Sequence, residues 1–243
     1  MRSEETIDEL RTYGLNVIQQ RHGYRFSLDP LLLCDFAGIG EGERVIDLGT
    51  GCGVIPLILA VKVREMQGVG VEMQEEMAEI SVRNVALNDL SDRIEILCRD
   101  IKTLKGHFPA SSFDLVLSNP PYRKRGSGRI SPKPGRDNAR HESTAELGDF
   151  LAVAKNLVKP AGRICFIYHP SRLPEFFSAA AELGLSPIRL RMVHGSNSAE
   201  ARMFLIETVK GRKGELKILP PLFVYDENGG YTAEMEGIVG PGK

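Results

Sequence analysis

Two short stretches of this chain carry residues whose types and order could do chemistry: Asp47-Leu48-Gly49-Thr50-Gly51-Cys52-Gly53 and Asn119-Pro120-Pro121-Tyr122. In the first, alternating glycines let backbone approach a ligand closely, because glycine lacks Cβ and tolerates positive φ. The spacing Asp47-x-Gly49-x-Gly51-x-Gly53 differs from the G-x-G-x-x-G of dinucleotide sites. An acid ahead of the turn does not suit a pyrophosphate. It suits a ligand with a positive group, such as the ammonium of S-adenosylmethionine (AdoMet); a purely structural turn with an N-terminal cap is the alternative. In the second stretch the prolines fix φ and exclude helix, which holds Asn119 and the nearby carbonyls stiffly. The Asn119 amide oxygen and the Pro120 carbonyl could each accept one hydrogen of a planar NH₂ group. Holding both N–H bonds draws that nitrogen toward tetrahedral geometry and aims its lone pair at a methyl group. Tyr122 adds an aromatic face on which a planar group can stack.

Around these stand single acids and a basic run. Glu72 closes a strand candidate and could take both hydroxyls of a ribose, a geometry that NAD enzymes share. Asp100 follows the next strand candidate and could accept from an adenine amine, although single acids at strand ends are common. Between Arg123 and Arg140 there are seven basic residues, among them Lys124 and Arg125, against one acid, Asp137. Such a run is often only a solvated loop; directly after Tyr122 it favours a polyanionic substrate. His141 is better placed to help start the next helix, where Ser143 and Glu146 have capping-box spacing, than to catalyse. His169, before Pro170, reads as structural. The five histidines and four cysteines form no HExxH, CxxC or mixed ligand spacing, so no metal is expected. Buried free thiols in a reducing cytoplasm are the better reading of Cys34, Cys52, Cys98 and Cys165.

The elements that must position these residues follow an alternating pattern. Strand candidates are Arg44–Leu48, Gly68–Glu72, Arg93–Leu97, Phe113–Ser118, Gly162–Tyr168, Pro187–Val193 and Arg202–Val209. Helix candidates lie at about Val54–Glu65, Gln74–Leu87, Leu147–Val158 and Leu173–Leu183. This alternation predicts an α/β fold, a doubly wound, Rossmann-like and mainly parallel seven-stranded sheet with helices on both faces. The last two strands, joined by His194-Gly195-Ser196-Asn197-Ser198 with no helix between, should end it as an antiparallel hairpin. Ahead of the core, Asn16–Gln20 and Tyr24–Ser27 look like short strands. Asp29-Pro30 reads as an N-cap and first helical residue opening a helix Leu31–Ala37. Past the core, Leu216–Leu219 and Leu222–Tyr225 are strand-like. We expect one domain over 1–243, with N-terminal strands and helix at 1–38, an AdoMet-binding core at 39–210 and an extension at 211–243.

At 243 residues, 42% hydrophobic and 26% charged, the composition is that of a soluble globular protein. No run reaches the roughly 18 apolar residues of a membrane span, and the acidic, polar start is no secretory signal. A net charge of −1 argues against a generally basic nucleic-acid binder, leaving the local run as the feature that matters. A cytoplasmic enzyme is expected.

The ordered motifs resemble the class I AdoMet-dependent methyltransferases, in the amino-methylating branch that carries NPPY, over about residues 25–210. Tyr24-Arg25-Phe26-Ser27-Leu28-Asp29-Pro30-Leu31-Leu32-Leu33, Arg140-His141-Glu142 and Tyr225-Asp226-Glu227-Asn228-Gly229-Gly230-Tyr231-Thr232 are similar to the bacterial valine-tRNA adenine-N6 methyltransferase family. Members modify the adenine beside the anticodon. The resemblance implies that Asp47, Gly49, Gly51, Gly53, Glu72 and Asp100 bind AdoMet while Asn119 and Tyr122 hold the target adenine. Arg123-Lys124-Arg125 departs from it, since the family more often follows NPPY with an aromatic residue and a less basic loop. The expectation is N6 methylation of an adenine in structured RNA, most simply tRNA, with Arg123, Lys124, Arg125 and Arg140 on phosphates. Alternatives are a protein glutamine amide, a DNA adenine, or a non-catalytic RNA-binding protein on the same scaffold. About 40 residues before the core are too few for the helical substrate domain usual in the glutamine enzymes. Loss of Asp47 or Asn119 would mark a non-enzyme, and both are present.

Overall fold

In the computed structural model the described residues are 2, 4–22, 25, 27–120, 145–212 and 214–240. An N-terminal hairpin, β1 (Glu5–Leu10) and β2 (Leu15–Gln20), precedes helix α1 (Asp29–Ala37). Then come β3 (Arg44–Leu48), α2 (Val54–Lys62), β4 (Gln67–Glu72), α3 (Glu75–Leu87), β5 (Ile94–Cys98) and β6 (Phe113–Ser118). The second half holds α4 (Leu147–Leu157), β7 (Val158–Tyr168), α5 (Leu173–Glu182), β8 (Leu185–His194) and β9 (Ala201–Lys210). Two-residue strands β10 (Lys217–Ile218) and β11 (Leu222–Phe223) and helix α6 (Ala233–Val239) follow. The main sheet runs β10-β8-β9-β7-β6-β3-β4-β5, with β11 also on β8. All seven expected strands are present, and β10 and β11 bring the sheet to nine. β3 to β7 pair in parallel, and β9 is antiparallel to both β7 and β8, which gives the expected terminal hairpin.

The strands are buried on both faces, so their residues alternate between two cores. Val45, Leu115, Leu117, Cys165 and Ile167 pack with α1, α2 and α3 on one side. Ile46, Leu48, Val116, Ile164 and Phe166 pack with α4 and α5 on the other. That is the period of two expected of a pleated strand. Helix α2, buried from Val54 to Ala60, is apolar all round as such a helix must be.

Several local expectations are corrected. Helix α2 stops at Lys62, not Glu65, because the Arg93 guanidinium takes the carbonyls of Ala60 (2.6 Å) and Val63 (2.7 Å). Asp29 is the first helical residue and not the N-cap; that position is Leu28. Of the expected strand Tyr24–Ser27, the described residues Arg25 and Ser27 are not in a strand. The partner of β2 is instead β1, in the register Ile7↔Ile18. Helix α4 is capped one turn later than expected: Glu146 is the N-cap, and its N–H donates to Asp149 Oδ2 at 2.9 Å. Cys34, Cys52 and Cys165 are buried, whereas Cys98 is exposed; all four are free.

The N-terminal hairpin is fixed to α3 by side-chain amides. Asn84 is fully buried; its Oδ1 accepts from Ile18 N (2.6 Å) and its Nδ2 donates to Ile18 O (3.0 Å). One turn on, Asn88 repeats the pattern with Asn16, at 2.9 and 2.8 Å. Arg83, on the same helix, holds the Glu5 carboxylate at 2.9 Å.

Candidate active site at the carboxyl edge of the sheet

Strand register places the candidate residues side by side. Asp47 pairs with Leu117 on β6 and with Gly70 on β4. Counting two residues on from each puts Asn119, Gly49 and Glu72 level at the carboxyl edge. Glu72 in turn pairs with Cys98, so Asp100 lies just beyond the end of β5. Open α/β sheets take ligands at this edge. Ser118 locks the adjacent strand ends together: its buried hydroxyl donates to Leu48 O at 2.7 Å.

The glycine turn is built by its backbone. Gly49, Gly51 and Gly53 have φ of 80°, 59° and 84°, a region that side chains enter only with strain. The N–H groups of Gly49 and Thr50 both donate to Val71 O at 2.9 Å. At Gly53 a Cβ would meet Ser81 Oγ at 2.3 Å, whereas at Gly51 it would meet nothing within 4 Å. The turn is therefore packed on its helix side and open at Gly51. Asn84 Nδ2 also donates to Cys52 O at 2.9 Å, between the second and third glycines. Sequence reasoning did not single out Asn84 or Ser118. Ser118 could have been suspected as the polar end of an apolar strand; nothing in the helical pattern of α3 distinguished Asn84.

Asp47 is only 1% exposed, and neither carboxylate oxygen has a hydrogen-bond partner among the described residues. Burial pushes its pKa up to about 7, and the Glu72 charge adds to the rise. The Thr50 hydroxyl beside it acts the other way but does not reach hydrogen-bond geometry. A buried acceptor without a donor is costly, and a cationic ligand would supply what is missing. Glu72 is partly committed already: its carboxylate accepts from Gly51 N (3.0 Å) and Gln74 N (2.9 Å). Each of its oxygens keeps a second lone pair for a hydroxyl. Asp100 Oδ1 accepts from Lys102 N at 2.9 Å and caps a short 3₁₀ turn, Ile101–Thr103. Burial pushes the Cys52 thiol up to about 12, so it stays neutral and is no nucleophile. His169 accepts from Ser171 N at 3.3 Å and caps another 3₁₀ turn, a structural role.

Asn119 is half-buried and Pro120 buried. Tyr122, Arg123, Lys124, Arg125, Arg140, His141 and Ser143 lie outside the described residues. Among the described residues no group of three or more His, Cys, Asp or Glu could hold a metal, and no helix is long and apolar enough to cross a membrane.

A family profile described as Methyltransferase domain matches residues 39–211. A relative from Porphyromonas gingivalis, named tRNA1(Val) (adenine(37)-N6)-methyltransferase, is 33% identical over 75% of this chain and 73% of its own length. The chain belongs to this methyltransferase family. A relative of the same name from Aeromonas salmonicida is 28% identical, with 84% of this chain and 86% of the relative covered. Among solved structures, a predicted O-methyltransferase from Agrobacterium tumefaciens superposes with a TM-score of 0.70 at 22% identity, covering 86% and 94% of the two chains. It shares the fold. The protein is an AdoMet-dependent methyltransferase. The unpartnered Asp47 carboxylate and the opening at Gly51 fit that cofactor.

Proposed function

We propose that this methyltransferase acts on the N6 amino group of an adenine in structured RNA, a tRNA near its anticodon, in the cytoplasm. One observation carries the reading: the buried, unpartnered Asp47 near the end of β3 leads into a glycine turn whose Gly49 lies level with Asn119, just past the end of the neighbouring β6. The relatives' shared name supplies the substrate. AdoMet, when bound, supplies a methyl group already activated on a sulfonium. Asp47 would hold its ammonium, the backbone of Gly49, Gly51 and Gly53 would lie along it, Glu72 would take ribose hydroxyls and Asp100 the adenine amine. Asn119 and the Pro120 carbonyl would accept the two N–H bonds of the target amine and orient its lone pair. Asn119 has no useful pKa and cannot be a general base; alignment and exclusion of water are the protein's contribution. Tyr122 would stack on the target base, and Arg123, Lys124, Arg125 and Arg140 would meet phosphates. Residues 1–38 and 211–243 would then flank a 39–210 core within one methyltransferase domain. The test is incubation with labelled AdoMet and, separately, total tRNA, DNA and protein, followed by mass spectrometry of the modified unit. N6-methyladenine in tRNA is expected; label in a glutamine side chain or in DNA would sink the reading.

A further inference from the structure

Strand β8 runs parallel to β7, since both are antiparallel to β9. The β8–β9 turn therefore emerges at the same edge as the glycine turn and Asn119. There the chain after β11 runs alongside it: Val224 N donates to His194 O and Tyr225 N to Gly195 O, both at 2.9 Å. Between the two segments is an open cavity of about 570 Å³, with Ser196, Asn197 and Ser198 on one side and Tyr225, Asp226 and Glu227 on the other. Tyr225 is 42% exposed, and its ring lies nearly parallel on Tyr231, with centroids 5.5 Å apart and planes at 11°. Asp226 Oδ1 accepts from Asn228 N (2.9 Å) and Gly230 N (3.0 Å), folding the chain back so that Tyr231 backs Tyr225. Tyr231 in turn packs on the core.

We propose that Tyr225 is a stacking platform for a second nucleobase of the substrate RNA, outside the catalytic pocket. This rests on the RNA reading above. A backed aromatic ring with one open face is what base stacking requires, and every base has a face to offer. The uncharged hydroxyls and amide of Ser196, Asn197 and Ser198 suit a base edge. The lining carboxylates of Asp226 and Glu227, with no lysine or arginine among the lining residues, repel phosphate. The occupant is thus a base and not the backbone.

The chain contains no tryptophan, so Tyr225→Trp installs a single indole at the platform. Titration with a tRNA transcript should quench its fluorescence saturably, with the RNA KM close to the parent's. Tyr225→Ala should raise the RNA KM by roughly tenfold or more, with AdoMet affinity and the rate at saturating RNA unchanged, and Tyr225→Phe should restore the parent KM. An indole left unquenched at RNA concentrations the enzyme methylates would overturn the proposal, as would a parental KM in a folded Tyr225→Ala protein. If the parent methylates no RNA at all, the substrate reading itself fails, and this one with it.

Discussion

Asp47 and Asn119 should fail in different ways when changed. Asp47→Ala should weaken AdoMet binding by about 1.5–3 kcal/mol, the range for hydrogen bonds to a charged group; calorimetry with equal affinities would remove Asp47 from the site. Its pKa adds a second signature. The carboxyl is protonated more readily in the folded chain, at about 7, than at its ordinary 3.8. Its contribution to stability is therefore present below pH 3.8 and lost as pH rises through about 7. A cationic ligand prefers the ionised form, so AdoMet affinity should rise across that window with release of a proton, measurable by calorimetry in buffers of different ionisation enthalpy. Asp47→Asn should abolish both the slope and the release. Asn119→Ala should instead cut single-turnover methylation by roughly 10²–10³-fold, as when one preorganised polar group is lost at a reacting centre, and spare AdoMet affinity. Near-normal turnover would make the Asn119-Pro120 turn merely structural.

Among the elements, α3 does more than cover the sheet. Asn84 makes three hydrogen bonds, two to Ile18 and one to Cys52. Asn84→Leu would strand those buried backbone groups at about 1–3 kcal/mol each, lowering the melting temperature and weakening AdoMet binding through the freed glycine turn. A melting curve that matches the parent's would contradict this. None of these bonds was legible beforehand, because they depend on which helix meets which hairpin. β3 and β6 were legible to the residue, since a strand buried on both faces carries a short aliphatic run, here Val45-Ile46 and Leu115-Val116-Leu117, between polar residues. β1 was missed because its pattern is inverted: Glu5 is buried against Arg83 while Ile7 is 48% exposed. Helix α6 was missed although Thr232 accepts from Met235 N at its start; its seven residues include a glycine. The site followed the same division. Motif and strand order put Asp47, Glu72 and Asn119 at one edge, but the prior engagement of Glu72 and Asp100 with backbone N–H groups could not be read.

For the whole molecule, a net charge of −1 means that RNA affinity must come from a local basic surface. Binding should fall steeply with salt, and replacing Lys124 and Arg125 by Ala should flatten the slope while sparing AdoMet. An unchanged slope in filter-binding assays would assign those residues to solvent. The amide contacts of α3 carry a further consequence for how copies of the chain behave toward one another. A two-stranded hairpin has two open margins, each able to recruit a strand from another molecule. On β2 the outward N–H and C=O groups of Asn16 and Ile18 are already answered by Asn88 and Asn84, so at those residues the margin offers nothing to a neighbour. Replacing both asparagines by leucine should make the protein self-associate on storage, detectable by light scattering.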